Sequence, residues 1–258
     1  MDPSSFFPII SGILGGAASA GVFKGPIKTL EDWWFVNFGH TTNERAEMLR
    51  TKQNANIEAY KNQLLKEASS INPENLKEPE LKILGPALEA SKYYIGDESL
   101  REMFAKLIAS SMDTSKNDVV HSSFVEIIKQ MEPLDANILV SIHKNGGTDA
   151  IAAIRFVRKD GLSKEIVTNM YLGNPSQNKQ DLISSSLSNL SRLGLLKNDY
   201  LSKYNLSEYE KFKDTDKYKE AYKLFEKIRS QDNLDRIEIF PGVTTLTPFG
   251  KKFCATCL

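Results

Sequence analysis

The stretch DLISSSLSNLSRLGLL (181–196) decides how the second half of this chain is read. Ile183, Leu187, Leu190 and Leu193 recur at spacings of four, three and three, which puts them on one face of a helix. Gly194 stands where such a helix ends, because glycine readily adopts the left-handed conformation that closes a last turn. Upstream, PLDANILVSIHKN (133–145) opens on a proline suited to a first helical turn and buries Leu134, Ile138, Leu139 and Ile142. Gly146-Gly147 stops it, and LSKEIVTNMY (162–171) reads as a short helix between the two. Downstream, RIEIF (236–240) and VTTLT (243–247) flank Pro241-Gly242, a strand–turn–strand pattern, and LTPFGKKF (246–253) starts a last helix. Three helices, Leu-Gly-Leu-Leu, a hairpin and a closing helix predict a winged-helix-like domain over 132–258. A charged helical insertion at about 202–233, including EYEKFKDTDKYKEAYKLFEKIRS, interrupts it and reads as a solvated surface helix.

Outward from there, the region 41–131 reads as helices throughout. A long, mostly polar helix over 42–70, capped by Thr42 or Asn43, carries a thin stripe of Leu49, Ile57, Tyr60, Leu64 and Leu65. Leu81, Leu84 and Leu88 form the next apolar face, Asp97 caps a helix bearing Leu100, Phe104, Leu107 and Ile108, and Phe124, Ile127, Ile128 and Met131 mark one more. The fold class expected is therefore mainly α: an N-terminal helical bundle, then a winged-helix-like domain with a small β-hairpin.

In a winged helix the third helix enters the DNA groove, flanked by basic residues that neutralise phosphates. Residues 181–196 offer only Arg192 as a cation, beside Ser184, Ser185 and Ser188, which bring hydroxyls without charge. The expected wing tip, Phe240-Pro241-Gly242, has no Lys or Arg either. These four residues are the weak candidates for a partner or nucleic-acid contact, and nucleic acid is disfavoured. The whole chain is balanced as well, with 33 basic and 33 acidic side chains in 258 residues, so no global field draws it to a polyanion.

Chemistry is sparse. No phosphate-binding Gly-x-x-x-x-Gly-Lys loop, His-Glu-x-x-His or Gly-x-Ser-x-Gly is present. The terminal Cys254-x-x-Cys257 lacks a second pair of ligands, since His40, His121 and His143 are scattered far upstream, and reads as two reduced thiols. Glu89, Asp97, Glu98 and Glu102 sit at helix starts, where carboxylates cap and offset the helix dipole. The sequence predicts no catalytic, cofactor-binding or metal residue.

The N-terminus is different. PSSFFPIISGILGGAASAGVF (3–23) is uncharged in a chain that is 26% charged. Gly12, Gly16 and Ala20 fall four apart, widened by Gly15 and Gly21, with Phe6, Phe7, Ile13 and Leu14 among the apolar remainder. Small residues at that spacing let helices approach closely in lipid. Met1-Asp2-Pro3 lacks the positive n-region of a signal peptide. Pro8 to Phe23 also falls short of the roughly 20 residues of a permanent span. Lys24, Lys28, Trp33 and Trp34 then match a membrane–water interface. Residues 1–40 are expected to form a conditional membrane and oligomerisation element.

ILGPALEASKYYIGDESLREMFAKLIASSM (83–112) and SFVEIIKQMEPLDANILVSI (123–142) resemble the abortive-infection alpha family, bacterial proteins grouped with phage resistance. The resemblance rests on Leu100, Ala105, Leu107, Ile108 and Ala109, then Ile127, Ile128, Lys129, Gln130, Met131, Pro133, Leu134, Asp135 and Ala136. Leu246-Thr247-Pro248-Phe249-Gly250 completes it at the far end. It implies a role in anti-phage defence and supplies no catalytic residue. Joined to the glycine-rich segment, it leads to an expectation of a non-enzymatic protein, cytoplasmic at rest. This protein would recognise a phage protein, form a homo-oligomer and permeabilise the inner membrane. The alternatives are a winged-helix transcriptional regulator and a binder that blocks phage assembly.

Overall fold

A computed structural model describes residues 47–173 and 179–258, with side chains described from residue 55 onward. The chain divides into two compact units, 1–130 with 252–258, and 131–251.

The described part of the first unit contains α1 (Glu47–Ser69), α2 (Leu81–Tyr94), α3 (Glu98–Ser111) and α4 (Phe124–Lys129). Asp97 caps α3 as expected, its carboxylate accepting the Leu100 amide at 3.0 Å. Helix α3 contacts α1, α2 and α4. It can do so because Leu100, Phe104, Leu107, Ile108 and Ser111 are buried on one side while Ala105, Ala109 and Ser110 are buried on others. Small side chains there let neighbours close in from several directions. Residues 252–258, the end of α9 (Pro248–Cys257) and the last residue, complete this unit. Phe253 meets Phe124 edge-on at 5.2 Å, and the Ser110 hydroxyl donates to the Thr256 carbonyl at 2.9 Å.

The second unit opens with α5 (Pro133–Lys144) and continues β1 (Thr148–Arg158), β2 (Ser163–Tyr171), α6 (Gln180–Arg192) and β3 (Leu196–Asp199). Then come α7 (Ser207–Glu210), α8 (Asp216–Ile228) and β4 (Leu234–Leu246). The strands form one antiparallel sheet in the order β2-β1-β4-β3. The chain is thus mainly α with a small antiparallel sheet, but the helix–helix–helix–hairpin order expected over 132–258 is not what it forms.

Two elements differ, each for a local reason. Residues 163–171 are a strand, not a helix. Their pairing with β1 passes from Ile154↔Val167 to Ala152↔Met170, so Thr168 and Asn169 together face Ala153 in a β-bulge. The bulge shifts the two-residue period by one, leaving Ile166, Val167, Met170 and Tyr171 at spacings that mimic a helix. The Pro241-Gly242 turn is also absent, because β4 runs straight through it. The Leu246 amide donates toward β1, to the Gly147 carbonyl at 2.8 Å, and the Thr247 amide donates to the other side, to the Leu195 carbonyl at 3.0 Å. Alternation then points the proline nitrogen away from β1. On that side β3 has already ended, its last pair being Asp199↔Val243, so no ladder bond is lost. Gly242 answers a second demand: a Cβ there would lie 2.6 Å from the Tyr200 ring.

The insertion is a structural layer, and the solvated-helix expectation is corrected. Tyr209, Phe212, Ala221 and Phe225 are buried against Ala152, Ile154 and Phe156 of β1 and Met170 of β2. Their helical period is masked because the segment breaks at Thr215, whose side chain caps α8 by accepting the Tyr218 amide at 3.2 Å.

Candidate functional site

The bulge organises the most connected polar cluster on the sheet. Asn169 adopts φ 51°, a left-handed conformation that asparagine tolerates better than other non-glycine residues. Its amide donates to the Tyr200 hydroxyl at 2.9 Å, and that hydroxyl donates back to Asn169 Oδ1 at 3.1 Å. Asn169 Nδ2 donates to the Ser188 hydroxyl at 3.1 Å, and Asn198 Nδ2 reaches Asn169 Oδ1 at 3.4 Å. Buried Thr244 donates to Asn198 Oδ1 at 2.8 Å. The bulge therefore joins β2, α6, β3, β4 and the segment after β3 through side chains.

An aromatic and charged surface adjoins this cluster. Tyr200 stacks on Phe240, ring centres 5.8 Å apart, and the Arg155 guanidinium carbon lies 3.2 Å from the Phe240 ring centre. Arg155 also donates to Glu165 on β2. A cation held between a ring face and a carboxylate is oriented rather than freely solvated. Burial pushes the Tyr200 phenol above its ordinary value of 10.0, keeping it a neutral hydrogen-bonding group.

A second cluster lies two residues further on, at the last residue of β2. The Tyr171 hydroxyl stands 3.0 Å from the Asp149 carboxylate and 3.1 Å from the Ser141 hydroxyl, which donates to the Gly173 carbonyl at 2.9 Å. Burial is the main cause that raises the Tyr171 phenol well above 10.0. Gln180 binds both the amide and the carbonyl of Tyr171, at 3.2 and 3.1 Å, as a neighbouring strand would. Both clusters offer hydrogen bonds and aromatic surface from protonated phenols.

Of the α6 residues expected to face a partner, Ser184 is half-buried, while Ser185, Ser188 and Arg192 are exposed and bond to nearby groups. Ser184 donates to the Thr168 carbonyl at 2.7 Å, and Ser188 donates to the Ser184 carbonyl while accepting from Asn169. Ser185 donates to the Asp181 carbonyl at 2.9 Å, and Arg192 to Asn189 Oδ1 at 2.7 Å. Asn189 in turn donates to buried Asp135 at 2.8 Å. Sequence reasoning did not single out Asn169, Tyr200, Arg155 or Tyr171, and took Phe240 only as part of a wing tip. The available signal was an asparagine inside a β-branched run, Ile166-Val167-Thr168-Asn169, which marks a bulge more readily than a helix interior.

Cys254 and Cys257 are buried free thiols; burial pushes Cys254 up to about 12 and Cys257 well above the ordinary 9.0. Among the described residues, no group of three or more His, Cys, Asp or Glu is placed to hold a metal ion. No described helix is long and apolar enough to cross a membrane. Gly12, Gly15, Gly16, Ala20, Gly21, Phe6, Phe7, Ile13, Leu14, Lys24, Lys28, Trp33 and Trp34 lie outside the described residues, as do Thr42 and Asn43.

Fold and site together define a mostly helical protein with a four-stranded antiparallel sheet whose polar side chains converge on a bulge. The model of the family described as abortive infection alpha matches residues 52–257, and the chain belongs to that family. No match emerges among curated proteins or among solved structures. The residues that first carried the resemblance hold the fold. Leu100, Leu107, Ile108, Ile127 and Ile128 are core. Asp135 accepts the Glu132 amide at 2.9 Å at the start of α5. Thr247 caps α9, accepting the Gly250 amide at 2.9 Å and donating to the Gly194 carbonyl. A Cβ on Gly250 would lie 2.1 Å from the Leu195 carbonyl oxygen, so only glycine lets α9 sit there.

Proposed function

We propose that this chain is a non-enzymatic effector of abortive infection. It is cytoplasmic at rest, recognises a phage protein, gathers into a homo-oligomer and permeabilises the inner membrane through residues 1–40. The match of residues 52–257 to the abortive infection alpha family supports the defence role and is the observation that carries the reading. The glycine stripe of Gly12, Gly16 and Ala20, upstream of the matched residues, supports the membrane step. A 16-residue helix spans only about 24 Å, so several copies in a thinned bilayer are required.

The test is a membrane-potential dye measurement during phage challenge. Parent cells depolarise; cells carrying Gly12→Leu with Gly16→Leu, or lacking residues 1–23, keep their potential and lose protection. Depolarisation by the double variant equal to the parent's defeats the membrane step. Protection that survives the deletion favours a binder that blocks phage assembly instead. The winged-helix regulator is the reading left least supported, since residues 163–171, its expected second helix, form a strand. Steep salt-dependent DNA retardation would revive it.

A further inference from the structure

Strand β4 is much longer than the partner on its outer side. Strand β3 pairs only with Val243 to Leu246, whereas β1 pairs with β4 in one continuous register from Thr148↔Thr245 to Val157↔Arg236. No described strand pairs with the outer side of residues 235–239. The alternation set by the Leu246 and Thr247 amides turns the backbone groups of Ile237 and Ile239 to that side; a register shift follows Val157↔Arg236, and the Asp235 carbonyl there accepts from Arg229 at 3.4 Å. Asp235 and Arg236 are exposed, and Ile237, Glu238 and Ile239 are half-buried. Arg236 meets Asp235 at 3.1 Å and Glu238 at 3.3 Å along its own strand.

We propose that this edge pairs antiparallel with the same edge of a second copy of the chain, with Ile237 on the two-fold axis. Charge selects the register. Outward-facing groups sit on odd-numbered residues, so the dyad falls on a residue and three central registers compete. A dyad at Arg236 sets arginine opposite arginine, and one at Glu238 sets glutamate opposite glutamate. A dyad at Ile237 sets Arg236 opposite Glu238 twice. It also makes Ile237↔Ile237 a hydrogen-bonded pair, the arrangement the outward groups of Ile237 require. Arg236 and Glu238 then form the close, non-hydrogen-bonded pair, with Cβ atoms about 4.5–5.5 Å apart. Pro241, which has no amide to offer, limits pairing at one end. Two four-stranded sheets become one. This names the contact for the self-assembly proposed above and rests on that reading for its setting, but pairing itself needs neither phage nor membrane.

The full chain is tested by sedimentation velocity across a concentration series, with circular dichroism confirming the fold of each variant. The parent self-associates reversibly. Arg236→Glu alone and Glu238→Arg alone each weaken self-association roughly tenfold, because two like-charged pairs replace two opposite ones. An equimolar mixture of the two single variants recovers association as a heterodimer, and the double exchange on one chain recovers the homodimer. A parent that stays monomeric at its solubility limit overturns the proposal, as do single variants that associate like the parent or a mixture that stays apart. Dimers without depolarisation on phage challenge would refute the membrane reading and leave the edge contact standing; depolarisation by a monomeric parent would do the reverse.

Discussion

Helix α3 and strand β2 carry the same kind of apolar spacing and fold differently. Leu100, Phe104, Leu107 and Ile108 in α3 and Ile166, Val167, Met170 and Tyr171 in β2 all fall at separations compatible with one helix face. In α3 the intervening residues are Arg, Glu, Met, Ala and Lys, good helix formers, and Asp97 closes the first turn. In β2 they are Thr168 and Asn169, and the spacing arises from two register shifts, one at Thr168-Asn169 and one at Ile166. The same pattern therefore reports a face in one unit and a defect of register in the other.

The largest effects test whether the two units have cores of equal standing. Phe104 in the first unit and Phe225 in the insertion of the second are both buried. Phe104→Ala and Phe225→Ala are each expected to cost about 3–5 kcal/mol in denaturant unfolding. A loss below about 0.5 kcal/mol for Phe225→Ala, the size of a surface substitution, would return the insertion to a solvated helix and break the comparison.

The bulge gives an intermediate effect. Asn169→Val places a β-branched residue at φ 51° and removes the bonds to Tyr200 and Ser188 made by its side chain. It is expected to cost about 2–3 kcal/mol. Asn169→Gly keeps the backbone and loses only the side-chain bonds, about 1 kcal/mol. Equal losses, read from thermal or denaturant melts, would mean the left-handed backbone does not set the bulge.

Alkali gives the smallest effect and touches both units. Cys254 in the first unit holds its proton up to about 12 when folded, against an ordinary 9.0. Its contribution is whole below 9.0 and is lost as pH rises through the folded value, because only the unfolded chain releases the proton in between. Stability should fall on the order of 1 kcal/mol one pH unit above 9.0, and Cys254→Ala should flatten that slope. The raised phenols of Tyr171 and Tyr200 act in the same direction only above 10.0. A melting temperature flat across this range would contradict the burial of the thiol.

Helices α2 and α3 of the first unit were legible because each is amphipathic by itself: Leu84, Leu88, Asp97 and Phe104 mark caps and faces from local spacing alone. The family was legible from motifs whose residues also hold the fold, Asp135, Thr247 and Gly250 among them. Strand β1 was not assigned. Ile151, Ala152, Ala153, Ile154, Phe156 and Val157 are all buried, so the strand shows an apolar run instead of an alternation. Nor did the clusters around Asn169 and Tyr171 stand out, because their members come from segments far apart in the chain, each ordinary where it stands.

Periodicity determined by itself helices of the first unit and a third helix, read over 181–196 and formed over Gln180–Arg192; composition marked the singular N-terminal run, and the resemblance of motifs supplied the family. Only the tertiary structure decided that 163–171 is a strand, that β4 runs through Pro241 and that the insertion covers a sheet. A helix satisfies its backbone hydrogen bonds within its own residues, whereas a strand satisfies them only through a neighbour. That neighbour is fixed by the fold and not by the segment.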